Sequence, residues 1–247
     1  MSLSIKINNR TSFIQKFLAP IARMGDMCIL TVGGDAISSL NKTVDNSIVL
    51  YSTTSDVSLS ENVTRKMNIP DIKKLIKALE CLNVESIDLI INSNSIEYKS
   101  TTTKFKFHLI EDGIIVPPTI NLQKIQAFEF DTRFKLSVST HGSLLKSSTF
   151  LSDSNKIYIS TKDNVVMAEL TDKGKSNTDT YSCIISNEYE GEEIHKELPF
   201  SFDLFRICSL LKSTELNVSI NNEKSIIAFD IKDDNYKLKY ISTALVC

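Results

Sequence analysis

NIPDIKKLIKALECLNVESIDLIINSNSIEYKSTTTKFKFHLIE (residues 68–111) and FSFDLFRICSLLKSTELNVSINNEKSIIAFDIKDDNYKLKYIST (residues 200–243) read as two copies of one plan. Each opens on an aspartate, Asp71 or Asp203, followed by apolar residues at matching offsets. Ile72, Leu75 and Leu79 stand against Leu204, Ile207 and Leu211. Positions i, i+3 and i+7 share one face of a helix, so each copy begins with an amphipathic helix. Strict alternation follows: Ile87-x-Leu89-x-Ile91 matches Leu216-x-Val218-x-Ile220, the period of a half-buried strand. Two further strands complete each copy, near 96–98 and 105–109 in the first, and near 226–231 and 236–241 in the second. One helix and three antiparallel strands joined by short polar turns is therefore the repeated unit.

The residues before each copy repeat the plan. A short alternating strand at 3–7 leads to a helix over 10–24, expected to kink or break at Pro20, and strands near 28–32, 36–40 and 47–53. In the second half, 127–131 leads into a helix over 132–152, weakened by Gly142 and its Ser/Thr content, and then strands near 156–160, 165–170 and 180–185. Pro117-Pro118 can continue neither a ladder nor a helix. The expected division is an N-terminal domain over 1–112, a connector over 113–126 and a C-terminal domain over 127–247. Antiparallel connections with about four helices make the fold class α+β.

Composition narrows the function. Hydrophobic residues make up 42% of the 247 and charged residues 23%, an ordinary globular mixture. There is no apolar run of 18 residues, and the N-terminus lacks the layout of a signal peptide, so a soluble, cytoplasmic protein without a membrane partner is expected. The five cysteines are widely spaced and form no CxxC pair, which suggests reduced and mostly buried thiols. Only His108, His141 and His195 are present, none at metal-ligand spacing, and no GxSxG, Walker A or GxGxxG occurs. The acidic run Glu188, Glu190, Glu192 and Glu193 reads as a solvated loop. No enzyme activity, cofactor or metal is expected.

The formal net charge is −2, yet the charge is unevenly placed. Across the four expected helices, eleven basic residues face only Asp71, Glu80 and Asp203, and the rest of the chain is acidic. Lys73, Lys74 and Lys77 lie opposite the Ile72/Leu75/Leu79 stripe. Lys16 and Arg23 share a face opposite Phe13, Phe17 and Ile21, and Arg206 lies opposite Leu204 and Ile207. Any single helix of this kind is ordinarily just solvated, but three of them on an acidic protein suit phosphate contact without base readout. Aromatic residues are not interleaved with the lysines, which favours duplex over single-stranded nucleic acid.

Duplicated helix-plus-sheet halves, a mid-chain connector and basic helices together resemble the DNA polymerase sliding clamps of the proliferating cell nuclear antigen and T4-phage type. LKYIS at 238–242 stands where that family has an LKYYL-like segment, and DIKKLIKAL at 71–79 is similar to a basic helix of its first domain. The resemblance implies two similar domains, each with two helices packed on antiparallel sheets, and a homotrimeric ring of pseudo-sixfold symmetry. It also implies a processivity factor that encircles duplex DNA and binds a DNA polymerase and a clamp loader. The positions matching its DNA-contacting surface are Lys16, Arg23, Lys74, Lys77, Lys146 and Arg206. Those matching its partner-binding pocket are Leu40, Ile120, Leu122, Ile241 and Thr243. The edge strands expected to join subunits are 104–111 and 180–186, with Lys104, Phe105, Phe107, Leu109, Tyr181, Cys183 and Ile185 at the interface. A viral or phage source fits the composition. The alternative is a clamp-fold viral late-transcription factor or another interaction protein.

Overall fold

The computed structural model describes residues 2–61, 63–119, 128–151, 154–194, 197–208 and 216–245. The chain divides into two compact units: Met1–Thr119 with Lys232–Leu238, and Ile120–Ile231 with Lys239–Cys247.

In the first unit, β1 (Leu3–Ile7) leads into α1, a helix over 10–24. Asn9 caps it, its side-chain oxygen accepting a hydrogen bond from the Ser12 N–H at 2.7 Å. The helix has three parts: α-helical Arg10–Ser12, a π-helical stretch Phe13–Leu18, and α-helical Ala19–Met24. The Ala19 N–H reaches five residues back, to the Ile14 carbonyl. Pro20 has no N–H to give, and its ring crowds the carbonyl four residues earlier. A wide turn just ahead of it relieves that crowding, and the helix continues. The interruption expected at Pro20 thus takes the form of a π turn.

Then come β2 (Cys28–Gly33), β3 (Ala36–Lys42), β4 (Ile48–Thr54), β5 (Val57–Leu59), β6 (Arg65–Ile69), α2 (Ile72–Glu80), β7 (Ile87–Ile91), β8 (Ser95–Lys99) and β9 (Lys104–His108). One antiparallel sheet runs β5-β1-β7-β8-β9, and a second ladder runs β4-β3-β2-β6. Both helices and both sheets meet in one apolar core. Ile5, Phe13, Leu30, Met67, Leu75, Leu79 and Leu89 enclose a void of only about 20 Å³. Packing this tight means that truncating Leu75 or Leu79, each nearly inaccessible, would cost about 2–5 kcal/mol.

The second unit repeats the order. It contains β10 (Thr132–Leu136), α3 (Val138–Phe150), β11 (Lys156–Lys162), β12 (Val165–Leu170), β13 (Tyr181–Ser186), β14 (Glu190–Gly191), β15 (Leu198–Ser201), α4 (Asp203–Ile207), β16 (Leu216–Asn221), β17 (Ile226–Asp233) and β18 (Tyr236–Thr243). The pairings repeat as well: β10 to β16 as β1 to β7, β14 to β10 as β5 to β1, and β15 to β11 as β6 to β2. Pro199 sits on β15, which ends the ladder β13-β12-β11-β15, where a missing N–H is tolerated. The core holds a run of aromatic contacts, with Phe202 stacked on Phe205 at 5.5 Å and Phe205 edge-on to Phe229 at 4.9 Å.

One expectation is corrected. Residues 132–136 form a strand, and the helix begins only at Val138. Thr132, Phe134 and Leu136 are buried while Arg133 and Lys135 are exposed, so this stretch alternates and pairs along its whole length with β16. A tight approach closes this edge. Gly191 has φ +95°, and a Cβ there would lie 1.8 Å from the Asp131 carbonyl oxygen, so only glycine fits.

Candidate nucleic-acid interface

The basic residues of the helices fall into two groups once their partners are known. Asp71 caps α2 by accepting from the Lys74 N–H at 2.8 Å. With Ile72, Leu75 and Leu79 buried, Lys73, Lys74 and Lys77 stand on the exposed side. Lys74 and Lys77 make no side-chain ion pair among the described residues. Lys146 on α3 is likewise exposed, without an ion pair among the described residues.

The others are held. Lys16 is half-buried, with Nζ 2.5 Å from Asp233 Oδ2 and 5.7 Å from the centre of the Tyr236 ring. The same hairpin tip is fastened by the Tyr236 hydroxyl, which donates to Asp56 at 2.9 Å, and by the Ser55 N–H, which donates to the Asn235 carbonyl at 2.9 Å. Burial, with the neighbouring Asp56 carboxylate, pushes the Tyr236 hydroxyl pKa far above its usual range. Lys73 Nζ lies 2.7 Å from Asp26 Oδ1, and that contact raises its pKa. Arg206 Nη1 donates to Asp203 at 2.9 Å and to Asn155 at 2.7 Å, with its guanidinium over the Phe202 ring. Arg23 is exposed near the end of α1.

Asp203 therefore differs from Asp71 despite their matching sequence positions: it is the first residue of α4 and pairs with Arg206 rather than capping the helix. Arg10, counted among the basic helix residues, is a clamp instead. Its guanidinium donates to the Leu79 and Glu80 carbonyls at 3.0 and 3.3 Å and pairs with Glu85 at 3.1 Å, fastening the start of α1 to the end of α2. Arg133 and Lys135 leave the helical set because they lie on β10. On α3 that leaves Lys146 as the one basic residue, among exposed Ser139, Ser143 and Thr149.

The expected interface strands both end a sheet. β9 closes β5-β1-β7-β8-β9, and β13 closes β13-β12-β11-β15. On β9, Lys104 is exposed, Phe105 stacks on Tyr98 at 5.9 Å and Phe107 is buried; Leu109, just beyond, is half-buried. On β13, Tyr181 and Cys183 are half-buried, and a bulge inserts Ile185 between Ile184 and Ser186. The bulge buries Ile185 and leaves Ile184 half exposed.

Of the expected pocket positions, Leu40 on β3 and Ile241 on β18 are half-buried and Thr243 is exposed; Ile120 and Leu122 lie outside the described residues. Ile114 and Val116 in the connector are exposed. Among the cysteines, Cys28 and Cys208 are buried, and burial pushes the Cys28 thiol up to about 12; Cys183 is half-buried and Cys81 exposed. No described helix is long and apolar enough to cross a membrane.

No family profile and no curated sequence matches the chain. Two solved structures match it end to end. A. fulgidus PCNA, in a complex with the C-terminal region of FEN-1, superposes with a TM-score of 0.76 at 11% identity, covering 99% of each chain. Proliferating cellular nuclear antigen from Entamoeba histolytica superposes with a TM-score of 0.72 at 15% identity, again covering 99% of each. Identities this low carry the fold and nothing finer, and over its whole length this chain has the PCNA sliding-clamp fold.

Proposed function

We propose that the protein is a sliding clamp: three copies close into a ring around duplex DNA, and the ring tethers a DNA polymerase and is placed on DNA by a clamp loader. The observation that carries this reading is the exposed pair Lys74 and Lys77, on a helix whose opposite side is buried, in a chain with the PCNA fold from end to end. Side-chain cations on a rigid helix meet phosphates without reading bases, and such contact weakens steeply with salt. β9 and β13 support self-association, since each ends a sheet with unpaired backbone groups that a second copy could satisfy. A partner protein is a fitting expectation because the A. fulgidus PCNA carries a bound FEN-1 segment.

Light scattering over a range of protein concentrations tests the assembly, with a species of three times 27.7 kDa as the expected result. Retention on nicked circular duplex, lost on linearisation, tests encirclement. The double variant Lys74→Ala/Lys77→Ala should keep the trimeric mass while lowering retention and flattening the salt dependence by about two units of log–log slope. A monomer that persists at high concentration would defeat this reading and favour a clamp fold redeployed in transcription or protein interaction.

A further inference from the structure

We propose that Asp26, Asp203 and Asp233 are internal counter-ions that hold the protein's grip on duplex DNA below what its basic helices would otherwise give. The inference rests on the sliding-clamp reading and specifies how its DNA contact is regulated.

Three helix cations are each matched with one carboxylate at contact distance: Lys16 with Asp233, Lys73 with Asp26, and Arg206 with Asp203. Each match lies within a single unit, and each carboxylate comes from outside the DNA-facing positions named above. The geometry is specific. Asp233 reaches Lys16 from the hairpin tip that Tyr236 fastens to Asp56. Asp203 shares Arg206 Nη1 with Asn155, and Asn155 in turn donates to the second oxygen of Asp203 at 2.7 Å.

A phosphate can use such a cation only by displacing the carboxylate, which then has to be solvated or neutralised. The gain from releasing a DNA counter-ion is largely cancelled, so a matched cation adds little affinity and little salt dependence. Lys74, Lys77 and Lys146 carry no such cost and make up the working contact. A clamp that must move along DNA gains from this arrangement, because each added phosphate contact has to be broken at every step.

The test compares full-length proteins by fluorescence anisotropy on a labelled 30-base-pair duplex across a KCl series. Asp26→Asn/Asp203→Asn/Asp233→Asn keeps every side chain's size and a hydrogen-bond acceptor while freeing the three cations. Glu188→Gln/Glu190→Gln/Glu192→Gln removes the same charge from an exposed acidic loop and serves as the control. The aspartate variant should bind more tightly at fixed low salt, with the log–log slope steeper by about 0.9 for each freed cation. In its background Lys16→Ala should restore about one unit of slope, whereas in the wild-type background Lys16→Ala should change the slope little. If the aspartate triple does not fold, Asp203→Asn alone should steepen the slope by about 0.9. Equal effects of the aspartate and glutamate triples would overturn the inference and leave the clamp reading standing, since general charge would then account for the change. A wild type whose binding is insensitive to salt and to Lys74→Ala/Lys77→Ala would overturn both.

Discussion

His141 shows how one buried side chain sets a pH response. It is 4% exposed, its Nε2 lies 2.8 Å from the Phe205 carbonyl oxygen, and its ring stacks on Phe205. Burial disfavours the imidazolium and lowers its pKa below the usual 6.5; the carbonyl opposes that shift only in part. The unfolded chain therefore binds a proton at a higher pH than the folded one. Stability from this group is fully present above about pH 6.5 and is lost as pH falls through the folded pKa, at no more than about 1.4 kcal/mol per pH unit. Urea unfolding of the wild type and of His141→Gln between pH 7.5 and 5 should show a midpoint that falls with acid in the wild type and falls less in the variant. A second residue-scale expectation concerns Arg10. Arg10→Ala removes hydrogen bonds from a charged donor to the Leu79 and Glu80 carbonyls, so thermal unfolding should reveal a loss of about 1.5–3 kcal/mol.

At the level of elements, α3 is the weakest helix by composition and is made by its surroundings. Ser137 caps it, accepting from the Thr140 N–H at 3.1 Å, and Leu144 is fully buried beneath it. Three of its hydroxyls, on Ser147, Ser148 and Thr149, donate to carbonyls three residues back and so are satisfied without leaving the helix. Gly142 contributes nothing to this arrangement: a Cβ there would meet no atom within 4 Å. Gly142→Ala should accordingly stabilise the protein by about 0.5–1 kcal/mol, read as a higher melting temperature with unchanged circular dichroism. The strand before it, β10, was legible as well. Thr132, Phe134 and Leu136 alternate with Arg133 and Lys135, but the signal spans only five residues and runs directly into helical sequence. A window long enough to detect a helix averages such a strand away.

For the whole molecule, the two sheet-ending strands decide whether copies can associate. Ile184 is half exposed on β13, at a position whose neighbour Ile185 has been turned inward by the bulge. A large apolar side chain on an unpaired edge suits a partner strand better than water. Ile184→Lys should leave the fold intact, because the side chain points out, and should weaken self-association at least tenfold. The exposed Lys104 and Lys106 on β9 add like-charge repulsion if that strand is the partner. Sedimentation velocity over a dilution series reads the shift from trimer to monomer. Unchanged mass at every concentration would exclude β13 as the contact.

The sequence by itself determined the repeated plan of helix and strands, the α+β class and the exposed placement of Lys74 and Lys77. All of these follow from periodicity: an element with one side in the core must place apolar residues every 3.6 or every 2 positions, and that requirement is written within a dozen neighbouring residues. Only the tertiary structure decided which cations are free. Lys16 meets a carboxylate 217 residues away, and Arg10 closes on carbonyls some 70 residues on. It also assigned the hairpin tip Lys232–Leu238 to the first unit and gave Asp203 a different task from Asp71. Periodicity carries no information about which distant charge will lie within 3 Å; that depends on how the packed elements bring remote segments together, and a short-range pattern cannot encode it.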